Sequence, residues 1–268
     1  MSEEVLLHKA GHTAIVTLNH PEHLNALSLQ MKDRLREIWT ELANDDDVWV
    51  VVLTGAGNQA FCAGADVKSV KERMHARTGF QPGRLHGPVT KIGIFPTPKT
   101  FDMYKPVICA VNGVCTGAGL QFVTTAEIVI CSQSASFFDS HVSRGYVTSI
   151  DPVLLTRRIP YSSAMRMALM GNRERVDAKR ALELGLVTEV VESGNLQARA
   201  LEIAETLCTN APIAMRKTVE ATWRGLDYGL TQALELATLI YMENWITEDF
   251  SEGTKAFLEK RQPVWRNR

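Results

Sequence analysis

The chain has 268 residues, 45% of them hydrophobic, with 29 basic and 30 acidic side chains and a formal net charge of −1. This length suits one large domain, or a core with a smaller appendage. The balanced charge argues against nucleic-acid binding, which needs a basic face, and no apolar run approaches the roughly 20 residues of a membrane span.

The five cysteines include no CxxC pair, and most of them lie among apolar or small residues. Their number is odd, which is typical of buried thiols in a reducing compartment rather than of a disulfide framework or a metal site. The N-terminal segment starts acidic and lacks an apolar stretch of signal-peptide length. We therefore expect a cytoplasmic protein with no bound metal.

The first part of the chain predicts a β-hairpin, an amphipathic helix and a buried strand. Residues 5–8 and 14–18 flank a turn at Ala10-Gly11, and residues 48–54 form an apolar β-branched run. Ser28 is a good N-cap for a helix. The apolar side of that helix consists of Leu29, Met31, Leu35, Ile38, Trp39 and Leu42.

The strand at 48–54 leads into a stretch of small residues, Phe61-Cys-Ala-Gly-Ala-Asp-Val67. A helix is expected from Val67 to about residue 76. Residues 69–104 are then rich in glycine and proline and contain His86. A long irregular segment of this kind is usually functional or disordered.

The run at 107–111 predicts a buried strand, followed by a turn at Asn112-Gly113 and by Gly117-Ala118-Gly119 before a helix at 120–125. A strand, a small-residue turn and a helix start leave backbone N–H groups directed at one point. The small residues after residue 61 offer a second such place. Two amide sites in one domain can together hold a developing oxyanion.

The remaining core pattern consists of strands at 128–132 and 187–191 with short helices between them. Asp151-Pro152 predicts a helix start with aspartate as the N-cap, and that helix is expected to reach residue 159. Beyond Ser193-Gly194 the chain is almost wholly helical, over 196–209, 212–224, 230–247 and 252–261. Leu234, Leu239 and Ile240 form part of an apolar face that needs a partner surface.

Four segments carry a family resemblance. They are LNHPEHLNALS at 18–28, VVVLTGAGNQAFCAGADVK at 50–68, KPVICAVNGVCTGAG at 105–119 and EGTKAFLEKRQPV at 252–264. In this order they resemble the crotonase superfamily, the enoyl-CoA hydratase/isomerase family. The resemblance implies an α/β fold, with a crotonase-type β-β-α spiral core at 1–195 for acyl-CoA binding and catalysis. It also implies a C-terminal helical trimerisation region at 196–268.

The same resemblance implies site residues. The thioester oxygen would be held by the backbone N–H groups of Ala63 and Ala118. Coenzyme A would enter as part of the substrate, with no other cofactor, and residues 69–104 would cover the acyl pocket. The residues expected to contact CoA are Glu22, His23, Leu24, Ala65, Asp66, Val67, Phe257 and Lys260.

The chain departs from the family at the catalytic carboxylates. Hydratases of this family usually carry two glutamates, and the corresponding positions here hold Gln121 and His141. Gln121 can orient a water or a carbonyl but cannot take a proton, whereas His141 can. Asp139 or Asp151 could orient the imidazole as a carboxylate partner. We therefore expect His141, Gln121 and Asp139 to be catalytic, while Asp151 could equally be only a helix cap.

Three functions remain open from the sequence. The first is an acyl-CoA hydratase or isomerase that works through an enolate, with a His/Gln pair in place of two glutamates. The second is a histidine-based hydrolase of an acyl-CoA thioester or of a β-dicarbonyl C–C bond. The third is a CoA-binding relative without chemistry. In each case we expect a homotrimer or a dimer of trimers, and neither a nucleic-acid nor a membrane partner.

Overall fold

The computed structural model describes residues 3–66 and 96–268 of the chain, as a mixed α/β fold. The strands in these ranges are β1 (Val5–Ala10), β2 (Thr13–Leu18), β3 (Val50–Gly55), β4 (Ala60–Cys62), β5 (Val107–Val111), β6 (Val114–Thr116), β7 (Ile128–Ser132), β8 (Ser136–Phe138), β9 (Val176–Asp177) and β10 (Glu189–Val191). The α-helices are α1 (Leu29–Asn44), α2 (Ala118–Thr125), α3 (Ile150–Leu155), α4 (Tyr161–Met170), α5 (Ala178–Leu184), α6 (Leu196–Leu207), α7 (Pro212–Gly225), α8 (Leu230–Asn244) and α9 (Glu248–Glu259). The helix expected from residue 67, His86 and most of the expected pocket cover lie outside the described residues.

A six-stranded sheet forms the centre of the fold, with the strand order β1-β2-β3-β5-β7-β10. The β1–β2 hairpin is antiparallel, and every other neighbouring pair is parallel. All six strands predicted from the sequence belong to this sheet. β3, β5 and β7 were predictable because parallel strands buried on both faces consist of nearly continuous apolar residues.

Both faces of this sheet are covered. On one face, Ile108 and Ala110 of β5 pack in a cluster with Ala200 and Ala204 of α6. On the other face, alternate residues of the same strand join a larger cluster that includes the buried side of α1 and the apolar residues of α2. The period of two along β5 therefore assigns its side chains to two separate cores.

A second, four-stranded sheet has the order β4-β6-β8-β9. The β4–β6 and β6–β8 pairs are parallel, and β9 is antiparallel to β8. The start of α2 lies against β4, because a Cβ placed on Gly119 would be only 2.7 Å from the carbonyl oxygen of Cys62. Only glycine permits this approach of helix to strand.

Helix α1 begins as predicted, with the Ser28 Oγ accepting a hydrogen bond of 3.0 Å from the Met31 N–H. Leu29 does not belong to the buried side, contrary to the sequence prediction, and is 37% exposed. It lies two residues before Met31, roughly 160° around the helix from the buried stripe. Trp39 on that stripe donates its Nε1–H to the carbonyl of Pro96 at 2.6 Å.

This bond fixes the last part of the expected pocket cover. Thr97, Lys99 and Met103 are buried, at 0%, 7% and 1% exposure. These three residues therefore belong to the packed core, and the role of residues 69–104 as a pocket cover stays a prediction.

The C-terminal region begins with α6, which packs directly on the central sheet. The division into units at 1–195 and 196–268 stays a prediction. Helices α7 and α8 pack against each other, and Ile240 of α8 is buried at 3% exposure. Leu230, Leu234 and Leu239 of the same helix remain exposed at 77%, 58% and 63%. None of the described helices is long and apolar enough to cross a membrane.

Candidate active site

Three neighbouring strands of the small sheet end at the same edge. β4, β6 and β8 are mutually parallel, so their carboxyl ends lie side by side. The segments that follow them are 63–66, Gly117–Ala118 and Asp139–His141. The strand order therefore brings together three segments that are far apart in the sequence.

The first two of these segments touch each other. A Cβ placed on Gly117 would lie 3.5 Å from the Cα of Gly64, and one placed on Gly64 would lie 4.0 Å from the backbone nitrogen of Ala118. Gly117 has φ +55°, a conformation that residues with a side chain rarely adopt. The chain therefore turns from β6 into α2 directly against the loop after β4.

The Ala63 amide is already used in this arrangement. Its N–H donates to the carbonyl of Leu24 at 3.0 Å. That Ala63 supplies an oxyanion donor stays a prediction, and this hydrogen bond would have to break before the amide could serve. The loop is further fixed by hydrogen bonds from Leu27 N–H to Gly64 O at 2.8 Å and from Asp66 N–H to Leu27 O at 3.1 Å.

Two other backbone amides remain available at this point. In the described ranges, the N–H groups of Ala65 and Ala118 make no hydrogen bond. Ala118 is the first residue of α2, where an N–H has no acceptor within the helix. Ala65, which the family resemblance places at the nucleotide, thus also carries a free amide two residues after Ala63. The two touching loops thus supply a pair of donors.

The third segment brings His141 to the same place. A Cβ on Gly117 would lie 3.7 Å from the Cε1 of the imidazole, and the His141 side chain is 35% exposed. Its Nδ1 lies 2.6 Å from the Oδ1 of Asp139, which is fully buried. Asp139 also accepts from the His141 backbone N–H at 2.9 Å and from the hydroxyl of Thr148. The predicted His141–Asp139 pair is therefore present, with Nε2 left for other partners.

The ionisation of this pair follows from its contacts. The hydrogen bond that His141 donates to Asp139 raises the pKa of His141 above its ordinary value, although burial opposes this. Burial alone would raise the pKa of Asp139, but the hydrogen bonds from His141 and Thr148 outweigh it and hold that pKa below the ordinary value. Asp139 is thus the charged partner that stabilises the imidazolium form of His141.

Gln121 has a partner that the sequence did not predict. Its Nε2–H donates to the Oδ1 of Asp151 at 2.8 Å, and both side chains are buried. Asp151 is not the cap of α3, contrary to the first expectation, because the helix begins at Ile150 with Ser149 at the N-cap position. Burial raises the pKa of Asp151 to about 6, although the bond from Gln121 opposes this.

Ligand atoms of Asp139, His141 and Asp151 lie within 4.8 Å of one another. A cation there would compete for atoms that hydrogen bonds already occupy, since Nδ1 of His141 and both oxygens of Asp139 are engaged. His141 and Asp139 are therefore engaged in hydrogen bonds with each other, and a cation would have to displace them. That no metal binds stays an expectation.

The residues expected to contact CoA lie in two places. Glu22 and His23 belong to a short 3₁₀ turn at Pro21–His23, and Leu24 follows it with its carbonyl bonded to Ala63. This joins the turn to the loop that carries Ala65 and Asp66. Val67 lies outside the described residues. Phe257 and Lys260 lie at the end of α9, where Phe257 is 82% exposed.

Asn25 supports the site, and the sequence did not predict this role. It is fully buried and accepts from the His20 N–H at 2.9 Å. Its amide donates to the carbonyls of Ala56 at 3.0 Å and Ala60 at 2.8 Å. The turn before α1 is thereby tied to β4. The role of Asn25 could have been suspected from the sequence, because it is the one polar residue in the apolar stretch 24–27.

Comparison with known proteins gives one consistent result. A family model described as enoyl-CoA hydratase/isomerase matches residues 9–268. The (E)-benzylidenesuccinyl-CoA hydratase of Thauera aromatica is 36% identical, over 98% of this chain and 98% of that protein. The short-chain-enoyl-CoA hydratase of Clostridium acetobutylicum is 35% identical, over 96% and 95%.

Solved structures agree. The crystal structure of an enoyl-CoA hydratase/isomerase from Mycobacterium paratuberculosis superposes with a TM-score of 0.88 at 44% identity, covering 100% of this chain and 99% of that one. An enoyl-CoA hydratase from Bacillus anthracis gives 0.84 at 30% identity, covering 99% and 100%. The predicted crotonase-type α/β fold is thereby confirmed.

Proposed function

Because the chain belongs to the enoyl-CoA hydratase/isomerase family, we propose that this acyl-CoA enzyme reversibly adds water to an enoyl-CoA thioester with His141 as its one base. The observation that carries the proposal is the position of the His141–Asp139 pair against the amide loop at Gly117, 3.7 Å from a Cβ placed there. A base and a pair of backbone donors on neighbouring segments are what chemistry through an enolate needs.

The thioester oxygen is proposed to accept hydrogen bonds from the amides of Ala65 and Ala118. Both are fixed by backbone structure, so no reorganisation is needed as charge develops on that oxygen. The second donor at the start of α2 also benefits from the positive end of the helix.

In the hydration step, neutral His141 takes a proton from water at Nε2 as the water oxygen bonds to Cβ. The electron pair of the C=C bond moves through Cα to the thioester oxygen and forms the enolate. When the enolate collapses, the imidazolium returns a proton to Cα. Asp139 carries the compensating charge throughout, and Gln121 orients without exchanging a proton.

The names of similar proteins support this reaction class. Two of these proteins are named as hydratases, and another is named carnitinyl-CoA dehydratase. The test is a panel of acyl-CoA thioesters, including crotonyl-CoA, with mass detection of products 18 Da heavier or lighter and of free CoA. We expect hydration of at least one enoyl-CoA and weak hydration of crotonyl-CoA. Release of free CoA without a hydrated product would reject the proposal.

Hydrolysis is the second candidate, and the specific observation that favours it is the His141–Asp139 pair beside the proposed oxyanion site. In that reaction the activated water attacks the thioester carbonyl, and the C–S bond breaks with protonation of the CoA sulfur. A β-dicarbonyl C–C bond would break in a similar way. The same panel distinguishes these outcomes. A complete lack of turnover would favour the third candidate, a CoA-binding relative without catalytic activity.

The pH profile tests the role of Asp139. Because His141 must be unprotonated in the free enzyme and its pKa is raised, kcat/KM should rise with pH through a midpoint above about 6.5. Asp139→Asn removes the contact that raises this pKa, so the midpoint should move to lower pH while kcat falls at least ~10-fold. Steady-state rates between pH 5 and 9 are the measurement. A midpoint that does not move would contradict the pairing.

The CoA site is proposed to be completed between copies of the chain. Glu22, His23 and Leu24 with Ala65, Asp66 and Val67 would hold the nucleotide, and Phe257 and Lys260 would reach it from a neighbouring subunit. The exposed apolar residues of α8 and α9 support a homotrimer or a dimer of trimers. Light scattering at micromolar concentration should therefore show a trimer or hexamer. A monomer that binds CoA in calorimetry would contradict this assignment.

A further inference from the structure

The carboxyl group of Asp151 is unusually placed for a residue that only supports the fold. The residue is 2% exposed, and its Oδ1 accepts from Gln121. Its Oδ2 is buried without a hydrogen-bond partner in the described ranges and lies 3.6 Å from Nδ1 of His141. A buried carboxylate with an unsatisfied oxygen costs free energy, so a purely packing role gives no reason to keep it.

The charged neighbours of this carboxyl differ in sign. Asp139 acts to raise the pKa of Asp151, and His141 acts to lower it. Arg144 lowers the pKa of His141, while Asp139 and Asp151 both raise it. Asp151 also contributes to the raised pKa of the buried thiol of Cys115. The imidazole is thus the one cationic group among these neighbours that acts directly on Asp151.

We propose that Asp151 is a positioning residue that joins Gln121 and His141 into one unit. One oxygen of its carboxylate fixes the amide of Gln121, and the other stabilises the imidazolium of His141. The inference rests on the proposed function, since it assigns how the one base of that site is supported. It also explains why an amide at position 121 suits this chain, because a glutamate there would place a second carboxylate against Asp151.

The proton balance of the reaction is unchanged by this role. His141 takes one proton from water and returns one to Cα, and Asp151 stays ionised during the cycle. Its contribution is electrostatic: a second negative group near Nδ1 lowers the cost of forming the imidazolium. Asp139 accepts the direct hydrogen bond from Nδ1. Asp151, which lies on α3, adds a second negative charge near the ring.

The test is Asp151→Asn, which keeps the size of the side chain and a carbonyl oxygen that can accept from Gln121. We expect the pKa of His141, followed by NMR titration of its imidazole, to fall by about half a unit or more. We expect kcat to fall at least ~10-fold, with KM for the acyl-CoA changed less than about threefold. An unchanged His141 titration in a folded Asp151→Asn protein would overturn the proposal.

Asp249→Asn is the matched control. Asp249 is also 2% exposed and accepts from the backbone N–H groups of Arg266 and Asn267, away from the site. It should leave the His141 titration unchanged, and a similar shift there would also overturn the inference. The His141 signal is assigned by its loss in His141→Gln.

A second variant tests the same interaction by changing Gln121 instead of Asp151. Gln121→Met removes the hydrogen bond that opposes protonation of Asp151, so Asp151 becomes neutral at higher pH. The His141 pKa should again fall, and a constant value would contradict the link even if Asp151→Asn does not fold. Because the NMR titration needs no turnover, failure of the proposed reaction and failure of this inference are distinguishable.

Discussion

His141→Gln is expected to lower kcat for the true substrate by roughly 10²- to 10⁴-fold, the usual contribution of a general base. Glutamine has a similar reach but cannot take the proton that the imidazole accepts. CoA affinity should remain unchanged, because the residues proposed to hold the nucleotide belong to other segments. Single-turnover rates and calorimetry with CoA measure the two effects separately.

His8→Gln is the matched control, since His8 is an exposed histidine on β1. It should retain full activity. Fast turnover that survives His141→Gln would contradict the one-base mechanism and transfer the chemistry to another group, with Asp139 the first to test.

Ala118→Pro should remove one of the two proposed oxyanion donors without removing a side chain. Ala118 is the first residue of α2, where proline is well tolerated because its missing N–H has no helical acceptor. Loss of one such donor costs about 2.7–4 kcal/mol of transition-state stabilisation, or roughly 10²- to 10³-fold in kcat. The helix itself should stay intact, as circular dichroism and Tm would show.

Tyr161→Pro provides the comparison, because Tyr161 is the exposed first residue of α4 and is not among the residues assigned to the site. Its activity should match that of the unmodified protein. If Ala118→Pro remains folded and fully active, the amide at the start of α2 is not an oxyanion donor.

The sequence predicted the strands of the central sheet well, because β3, β5 and β7 are apolar runs that can be recognised locally. It did not predict the small sheet as such. β4, β6 and β8 have three residues each, which is too short for a period of two to be visible. Yet these three strands bring the loop after β4, the start of α2 and His141 together, so the assembly of the site depends on the least predictable elements.

The structure differs from the sequence prediction mainly where two interacting residues lie far apart in the chain. His141–Asp139 was predictable because the two residues are two positions apart. Gln121 and Asp151 are 30 positions apart, and Asp-Pro at a helix start locally favours a cap. Ala63 and Ala65 differ only in that the carbonyl of Leu24 bonds to the first. No local pattern shows which of two neighbouring amides is already occupied.

The close approach at Gly119 bears on how this chain can change over time. The first turn of α2 lies so close to β4 that a Cβ placed on Gly119 would be 2.7 Å from the carbonyl oxygen of Cys62. The side chains at positions 121 and 141 take no part in that contact. Selection can therefore replace the groups that move protons while the amide frame keeps its shape, and a lineage can acquire a new reaction without first rebuilding its fold.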